Sequence, residues 1–566
     1  MRALLLSGLT LCLAAEPPAV ARMRQDLTVL ASPALAGRGN GDPGLERAVA
    51  YVARAYRKLG LRPKVQRYAW IARVKRTEAA AVLGGRPLTW GRDVEALGYS
   101  AGADLKALPL RFVGCGLRAG AYDDLGDLKG RAAVIFRRLP EAAAFAQVKR
   151  AETALLSRIR ACEAAGAAAI LLVEEGDAPR TLGREEGPTE LHLPILSLPA
   201  RTLAPWLDLP ALRARLVETG LPQTSEPGAT LDLKLALARE EVQLPNLAVL
   251  LPGRNPKLRD QIIAVGAHLD HLGHGERHSA AGEAGRGQIH PGADDNGSGS
   301  VMTLELARRF KRQRPARPIL FLHFSGEEEG LLGSAAWTRN PTVPLAQIKF
   351  MVNLDMVGRL DKARPTLLMG GLGAPKAALE RARTFAPEGL ALGTDVGAAV
   401  GGSDHMSFSA SKIPTFFFFS GLHQDYHKPT DTADRIDYDG MARVEAMVAR
   451  VVQDLADSAE VPAFDPETAK VQSARDASPM GVSLGILPDF TENKAGFRIT
   501  DTSRGSAAEA AGLKGGDIII RIGDAPVKGI YDYMAALTGR KPGDKVLIRW
   551  LRDGVEMQAE ATLKGR

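Results

Sequence analysis

Two segments, GAHLDHLG (266–273) and GADDNGSG (292–299), decide how this chain is read. The apolar run IIAVGA (262–267) leads into the first. Its length and flanks predict a buried strand. The strand ends in a His-x-Asp pair, His268 and Asp270. The second segment places Asp294 and Asp295 just before a helix that starts near Gly297. An acidic residue there often does no more than cap its helix, so the pair gains meaning only from the rest of the chain.

Working outward, three further apolar runs follow the same plan. ILFLHFS (319–325) is followed by Glu327 and Glu328, IKFMVNL (348–354) by Asp355, and IPTFFFFS (413–420), after a short loop, by Tyr426 and His427. From 246 to about 457 such runs alternate with helical patterns. That predicts an α/β fold, a mostly parallel sheet flanked by helices. In such sheets ligands bind beyond the carboxyl ends of the strands, so these residues should gather at one rim. Taken singly each has a plain explanation: Glu327 to Glu329 could be a solvated charge run, and either His a structural one. Their conjunction at four strand ends is the argument for a site.

The gathered set holds two His and several carboxylates and no Cys, which suits zinc or another late first-row divalent metal. It is too large for one tetrahedral site. It suits two ions about 3.5–4 Å apart, bridged by one carboxylate, that polarise a carbonyl and activate a water. One carboxylate must then stay free as general base, and the adjacent Glu327 and Glu328 can divide that labour. His271, His274, His278 and His290 read as loop residues lining the entrance, and 274–290 as the rim or lid of a cleft. His323, inside an apolar strand, reads as a hydrogen-bonded core residue, and Phe416–Phe419 as core strand.

With SGEEEGLLGS (325–334), NLDMVG (353–358), GGSDHMSF (401–408) and DYHKPTDT (425–432) added to the first two segments, the chain resembles the co-catalytic zinc peptidases that include bacterial leucyl aminopeptidase and glutamate carboxypeptidase. The resemblance covers roughly 25–95 and 236–457. It implies His268, Asp295, Glu328, Asp355 and His427 as ligands of two Zn2+ ions, with Asp295 bridging. The resemblance implies Asp295 rather than Asp294, because the family's bridging Asp stands three residues before Ser-Gly, here Ser298-Gly299. It also implies Glu327 as general base, Asp270 as the partner that holds the His268 ring, and Tyr426 as donor to the oxyanion. Asp404 and His405 match a motif near the site to which no role attaches.

The remaining chain is read more coarsely. At 566 residues, with 45% hydrophobic and 24% charged residues, it is expected to form two to four domains. The net charge of +8 is interspersed, without a basic stripe carrying aromatics, which argues against nucleic-acid binding. Residues 1–15 read as a secretory signal peptide, with Leu11 too large for a lipidated Cys12. Nothing else predicts a transmembrane segment. The expected divisions are a discontinuous peptidase domain (24–98 and 236–457), an insertion (99–235), a linker (458–478) and a small domain (479–566). Within the first, a helix is predicted over 45–59 and short strands over 64–97. FVGCGL and Lys129-Gly130-Arg131 make the insertion resemble a protease-associated domain. VSLGI (482–486) and GSAAEAAGLKGGDIIIRIGDAPV (505–527) make the tail resemble a PDZ domain, whose groove would take a C-terminal peptide. Cys115 and Cys162 could form a disulfide or stay separate thiols.

The function expected is an exported zinc aminopeptidase acting on peptides. A carboxypeptidase or dipeptidase on the same site is the nearest alternative. It needs a positive cluster for the substrate carboxylate, for which Arg359 and Arg254 are available. A metal-free peptide-binding protein is the alternative from another class.

Overall fold

A computed structural model describes residues 17–565 apart from 121, 141–144, 146–147, 149–152, 175, 180–190, 362–364, 394–401, 474–481, 489–494, 503–504 and 538–539. The signal-peptide segment 1–15 and the end of the expected linker, 474–478, lie outside the described residues. Two compact units are present: Met1–Tyr68 with Gln243–Arg566, and Ala69–Val242.

In the first unit seven strands lie side by side: β1 (Thr230–Leu251, through its C-terminal part), β2 (Ile262–His268), β3 (Ile319–Phe324), β4 (Ile348–Leu354), β5 (Thr366–Gly370), β6 (Ala391–Gly393) and β7 (Thr415–Phe419). Their order is β6-β5-β7-β4-β2-β3-β1. β2 runs parallel to β3 and to β4, and β4 parallel to β7, while β1 pairs antiparallel with β3 and β5 with β7. The central strands are buried along their whole length, as strands covered on both faces must be. One face packs Ile263, Val265 and Ala267 against the helices α1 (Pro18–Leu30), α2 (Pro43–Lys58), α3 (Gly299–Gln313) and α5 (Tyr438–Asp457). The other packs Ile262, Ala264, Leu322 and Phe324 against Trp337, of α4 (Leu332–Arg339), and Phe408.

The local reasons are visible in α2. Asp42 precedes it, Pro43 opens it and Leu45, Val49, Val52 and Tyr56 are buried along one stripe. Burial of each of the three aliphatic side chains, Leu45, Val49 and Val52, contributes about 1.5–3 kcal/mol. Gly60, at φ +71°, takes the left-handed turn that ends the helix. The helix begins two positions earlier than expected because Pro is favoured at the first helical position.

The same unit also contains, within 482–565, a sheet of six antiparallel strands among the described residues, from Ile486–Pro488 to Val555–Thr562, with the helix Ile530–Leu537 and a core that includes Val482, Phe497, Ile519, Ile548 and Trp550. Ahead of it the expected linker carries a short helix, Pro466–Ser473.

In the second unit the strands Ala103–Gly114, Ala132–Phe136, Ala169–Glu174 and Ile195–Pro199 are parallel neighbours. Where short strands were expected over 64–97, only Arg86–Pro87 and Glu95–Ala96 are short ones among the described residues, and one long strand runs from Pro63 to Leu83. Its mixed polar and apolar residues alternate over an unusual length, and no turn residue breaks them before Gly84-Gly85. Cys115 and Cys162 are both buried free thiols, and burial pushes each up to about 12.

Candidate metal centre

Strand register assembles the site. His268 lies opposite Phe324 across β2 and β3, Gly266 opposite Asn353 across β2 and β4, and Leu354 opposite Phe418 across β4 and β7. The residues that leave these strands therefore emerge at one rim. β2 has β3 on one side and β4 on the other, so the chain leaves it at a topological switch point, where open sheets form crevices.

At that rim His268 Nε2 stands 3.3 Å from Asp355 Oδ1 and 3.4 Å from Asp295 Oδ1. The other oxygen of Asp295, Oδ2, is 3.1 Å from His427 Nε2, and Glu328 Oε2 is 3.1 Å from the same nitrogen. Asp295 thus faces two groups of donors with one oxygen each. Glu327 Oε2 lies 3.9 Å from His268 Nε2. Two donor sets have their ligand atoms within 4.8 Å of one another, His268 with Glu327 and Asp355, and His268 with Asp295 and Glu328. Tyr426 stacks on His427, ring centroids 3.8 Å apart, and leans on the apolar cluster of Met356, Leu368, Phe417 and Phe419.

The electrostatics match a site built for positive charge. Burial pushes the Glu327 carboxyl well above the ordinary range. Burial also raises Glu328, but His427 and His271 outweigh it and bring that group well below its usual value. Burial alone would lower His427; Glu328 and Asp295 overcome it and lift the imidazole to about 11. In the protein by itself a proton on His427 supplies the charge that these acids demand. Divalent cations would supply it more fully, and the oxygen and imidazole donors fit zinc.

The segment 293–298 is clipped to the end of β4. Asn296 donates from Nδ2 to Leu354 O and accepts at Oδ1 from the backbone N–H of Gly299 and Met356. A Cβ on Gly299 would sit 2.4 Å from Asn296 Oδ1 and 2.6 Å from Leu354 O, which explains glycine there. Asp294, expected as a mere neighbour, accepts from Gly358 N at 2.7 Å, and its Oδ2 is 3.2 Å from His423 Nε2. The Asp431 carboxylate accepts from the backbone N–H of both Asp294 and Asp295.

Two expectations change. The His268 ring nitrogen Nδ1 faces the backbone carbonyl of Asp270 at 3.2 Å, and the Asp270 carboxylate is farther, at 3.7 Å. That carboxylate instead accepts from Asn40 Nδ2 at 2.7 Å and from the backbone N–H of Glu327 and Glu328, each at 3.3 Å. Asp270 therefore positions the two glutamates as well as the His. His271, expected to line the entrance, is buried, with Nδ1 2.7 Å from Glu328 Oε1. The turn after β2 tucks it beneath Glu328; its place in HLDHLG, three residues after His268, was the available signal. His274 and His278 are exposed, whereas His290 is buried.

Sequence reasoning passed over Arg38. It is buried, and its guanidinium donates to the carbonyls of Leu30, Leu269, Pro291 and Gly292. It ties the loop after β2 to the loop before Asp294. Burial lowers its pKa to about 10 against the opposing pull of Asp295, Asp431, Asp270 and Glu328. Behind Asp355, Asn353 Nδ2 donates to Ser403 Oγ at 2.8 Å. Asp404 is buried, and burial raises it to about 7. His323 is in the core as expected, its Nε2 2.9 Å from Tyr56 Oη, and burial pulls its pKa down to about 3.

Residues 246–452 match the profile of Peptidase family M28, and residues 482–563 that of a PDZ domain. Over 227 residues the chain is 30% identical to Probable leucine aminopeptidase 1 of Trichophyton verrucosum, which covers 37% of this chain and 58% of that protein. It is 29% identical over 271 residues to Aminopeptidase YwaD of Bacillus subtilis, covering 46% and 54%. The chain thus spans between about half and six tenths of the length of these relatives. Among solved structures, the aminopeptidase from Aneurinibacillus sp. strain AM-1 superposes with a TM-score of 0.50 at 25% identity, covering 78% of this chain and 95% of that one. His268, Asp295, Glu328, Asp355 and His427 thus all lie within the residues that match Peptidase family M28, and the residues that match a PDZ domain follow them along the chain.

Proposed function

We propose that this chain is an exported two-zinc aminopeptidase that removes N-terminal residues from peptides. Asp295 carries the reading: one of its oxygens faces His268 and the other faces His427. His268, Asp295 and Asp355 would hold one ion, and Asp295, Glu328 and His427 the other. When bound, the pair supplies a Lewis acid for the scissile carbonyl and lowers the pKa of a water. Glu327, whose Oε2 is 3.9 Å from His268 Nε2, takes a proton from the attacking water at its carboxylate and passes it to the leaving amine. Asp270 holds the backbone of Glu327 and Glu328 in place for this. Tyr426, stacked on His427, is assigned the oxyanion.

The choice of aminopeptidase over carboxypeptidase is supported by the arginines. Arg359 Nη2 is 3.1 Å from Asp425 Oδ2, and Arg254 Nη2 is 3.4 Å from Asp457 Oδ1. Each of the two arginines available to a carboxypeptidase is thus paired with a carboxylate. Export rests on the character of residues 1–15. In the PDZ domain the strand Ile486–Pro488 lies at the edge of its sheet among the described residues, where an extended peptide would bind by strand addition. Hydrolysis of leucine amide beside N-acetyl-leucine amide and N-blocked dipeptides tests the reading. Cleavage confined to the free amino terminus is expected; equal cleavage of the blocked compounds would overturn it.

A further inference from the structure

We infer that His290 is a positioning residue for His427, acting through the Ser279 hydroxyl; this rests on His427 being a zinc ligand. The loop 274–290 grips His427 twice. The ring nitrogen Nδ1 of His427 is 3.0 Å from the carbonyl of His278, and the carbonyl of His427 accepts from Ala280 N at 2.9 Å. The first bond holds a proton on Nδ1, so that Nε2, beside Asp295 and Glu328, is the atom that would meet an ion, the arrangement a metal-binding imidazole requires. His427 also sits at φ +54°, a conformation that an unrestrained histidine rarely adopts.

Ser279 stands between the two gripping residues. Its Oγ is 2.8 Å from His290 Nε2 and accepts from Ala281 N at 3.2 Å. His290 Nδ1 donates to Gln288 O at 2.9 Å. Nδ1 then carries the ring proton, Nε2 accepts from the serine hydroxyl, and the polar atoms of both side chains are satisfied. The imidazole is held in place on every side. His290 is buried, its backbone N–H bonds Gly273 O, and a Cβ on Gly275 would lie 2.1 Å from its Cε1. A Cβ on Gly285 would lie 2.3 Å from Ser279 Oγ. The exposed part of the loop is thereby pinned to a buried ring at the one residue flanked by both contacts to His427.

The test is a zinc titration of metal-free full-length protein against a chelating indicator, for the parent, His290→Ala, His290→Gln, Ser279→Ala and the double variant. Partners that orient a metal-bound imidazole are worth about 10–100-fold in metal affinity. His290→Ala and Ser279→Ala should each weaken one of two zinc equivalents by about that factor and leave the other within about threefold. The double variant should be no worse than either single one, because the pair acts as a unit. His290→Gln, which keeps an acceptor for the hydroxyl, should recover most of the loss. Thermal unfolding of the metal-free forms separates this from a folding defect, since His290→Gln and Ser279→Ala should melt close to the parent. Unchanged affinity for both equivalents in His290→Ala, or equal weakening of both, would overturn the inference while leaving the proposed function intact. A parent that takes up no zinc would overturn both.

Discussion

Glu327 and Glu328 are adjacent, equally buried and opposite in character. Burial raises the Glu327 carboxyl well above its ordinary range, which gives its carboxylate a strong hold on a proton taken from water, whereas His427 and His271 outweigh burial at Glu328 and bring it well below its own. Neighbours, not residue type, divide the labour between base and ligand. Replacing Glu327 by Gln should lower kcat by about 10²–10⁴-fold while metal analysis still finds the parent's zinc content. A matching turnover number would remove Glu327 from the chemistry. His323 gives a test of the core. Its folded pKa is depressed to about 3, against about 6.5 in an unfolded chain. As pH falls below the unfolded value, the unfolded state takes up a proton that the native state refuses, so stability is lost on acidification. Between pH 6.5 and 5 that loss is about 2 kcal/mol. Urea unfolding of the metal-free protein should show about that much less pH dependence in His323→Gln; an unchanged slope would mean that His323 titrates normally. At this scale the sequence was most legible where a polar residue ended an apolar run, as for His268 and Asp355. His271, Asn40 and Asp431 were not legible, because each gains its role from a residue far along the chain.

The elements that hold the site are loops bound to each other by buried polar groups. Arg38 is the clearest case, with four carbonyls from three segments converging on one guanidinium. Lysine has no fork to reach them all. Arg38→Lys should cost about 3 kcal/mol, the scale of leaving buried acceptors without charged donors. Differential scanning calorimetry should show a lower Tm, and zinc should bind more weakly because the loops that carry Asp270 and Asp295 share that anchor. A variant with parent Tm and parent zinc affinity would contradict this. The parallel strands were readable from their apolar runs, and α2 from its stripe and its flanking Pro and Gly. The strand Pro63–Leu83 was not, because its length comes from pairing partners elsewhere in the chain rather than from any local signal.

Over the whole molecule, the peptidase and PDZ domains each have a core of their own, so one can be removed without opening the other. Deleting 479–566 should leave turnover of leucine amide within about twofold, since each core keeps its own buried contacts. It should lower kcat/KM on long peptides if the edge strand recruits them. Equal efficiency on long peptides before and after deletion would confine the PDZ domain to another role. The peptidase and PDZ resemblances were legible from ordered motifs, whereas the side chain preferred at the substrate's first residue has no such signature. The pairing of Asp295 with both His268 and His427 is most directly examined by adding zinc back to metal-free protein while following hydrolysis of leucine amide. Activity that is absent without metal, and that rises to a plateau at two equivalents of zinc, is the expected result. Full activity at one equivalent, or undiminished activity in the metal-free protein, would contradict a two-zinc aminopeptidase.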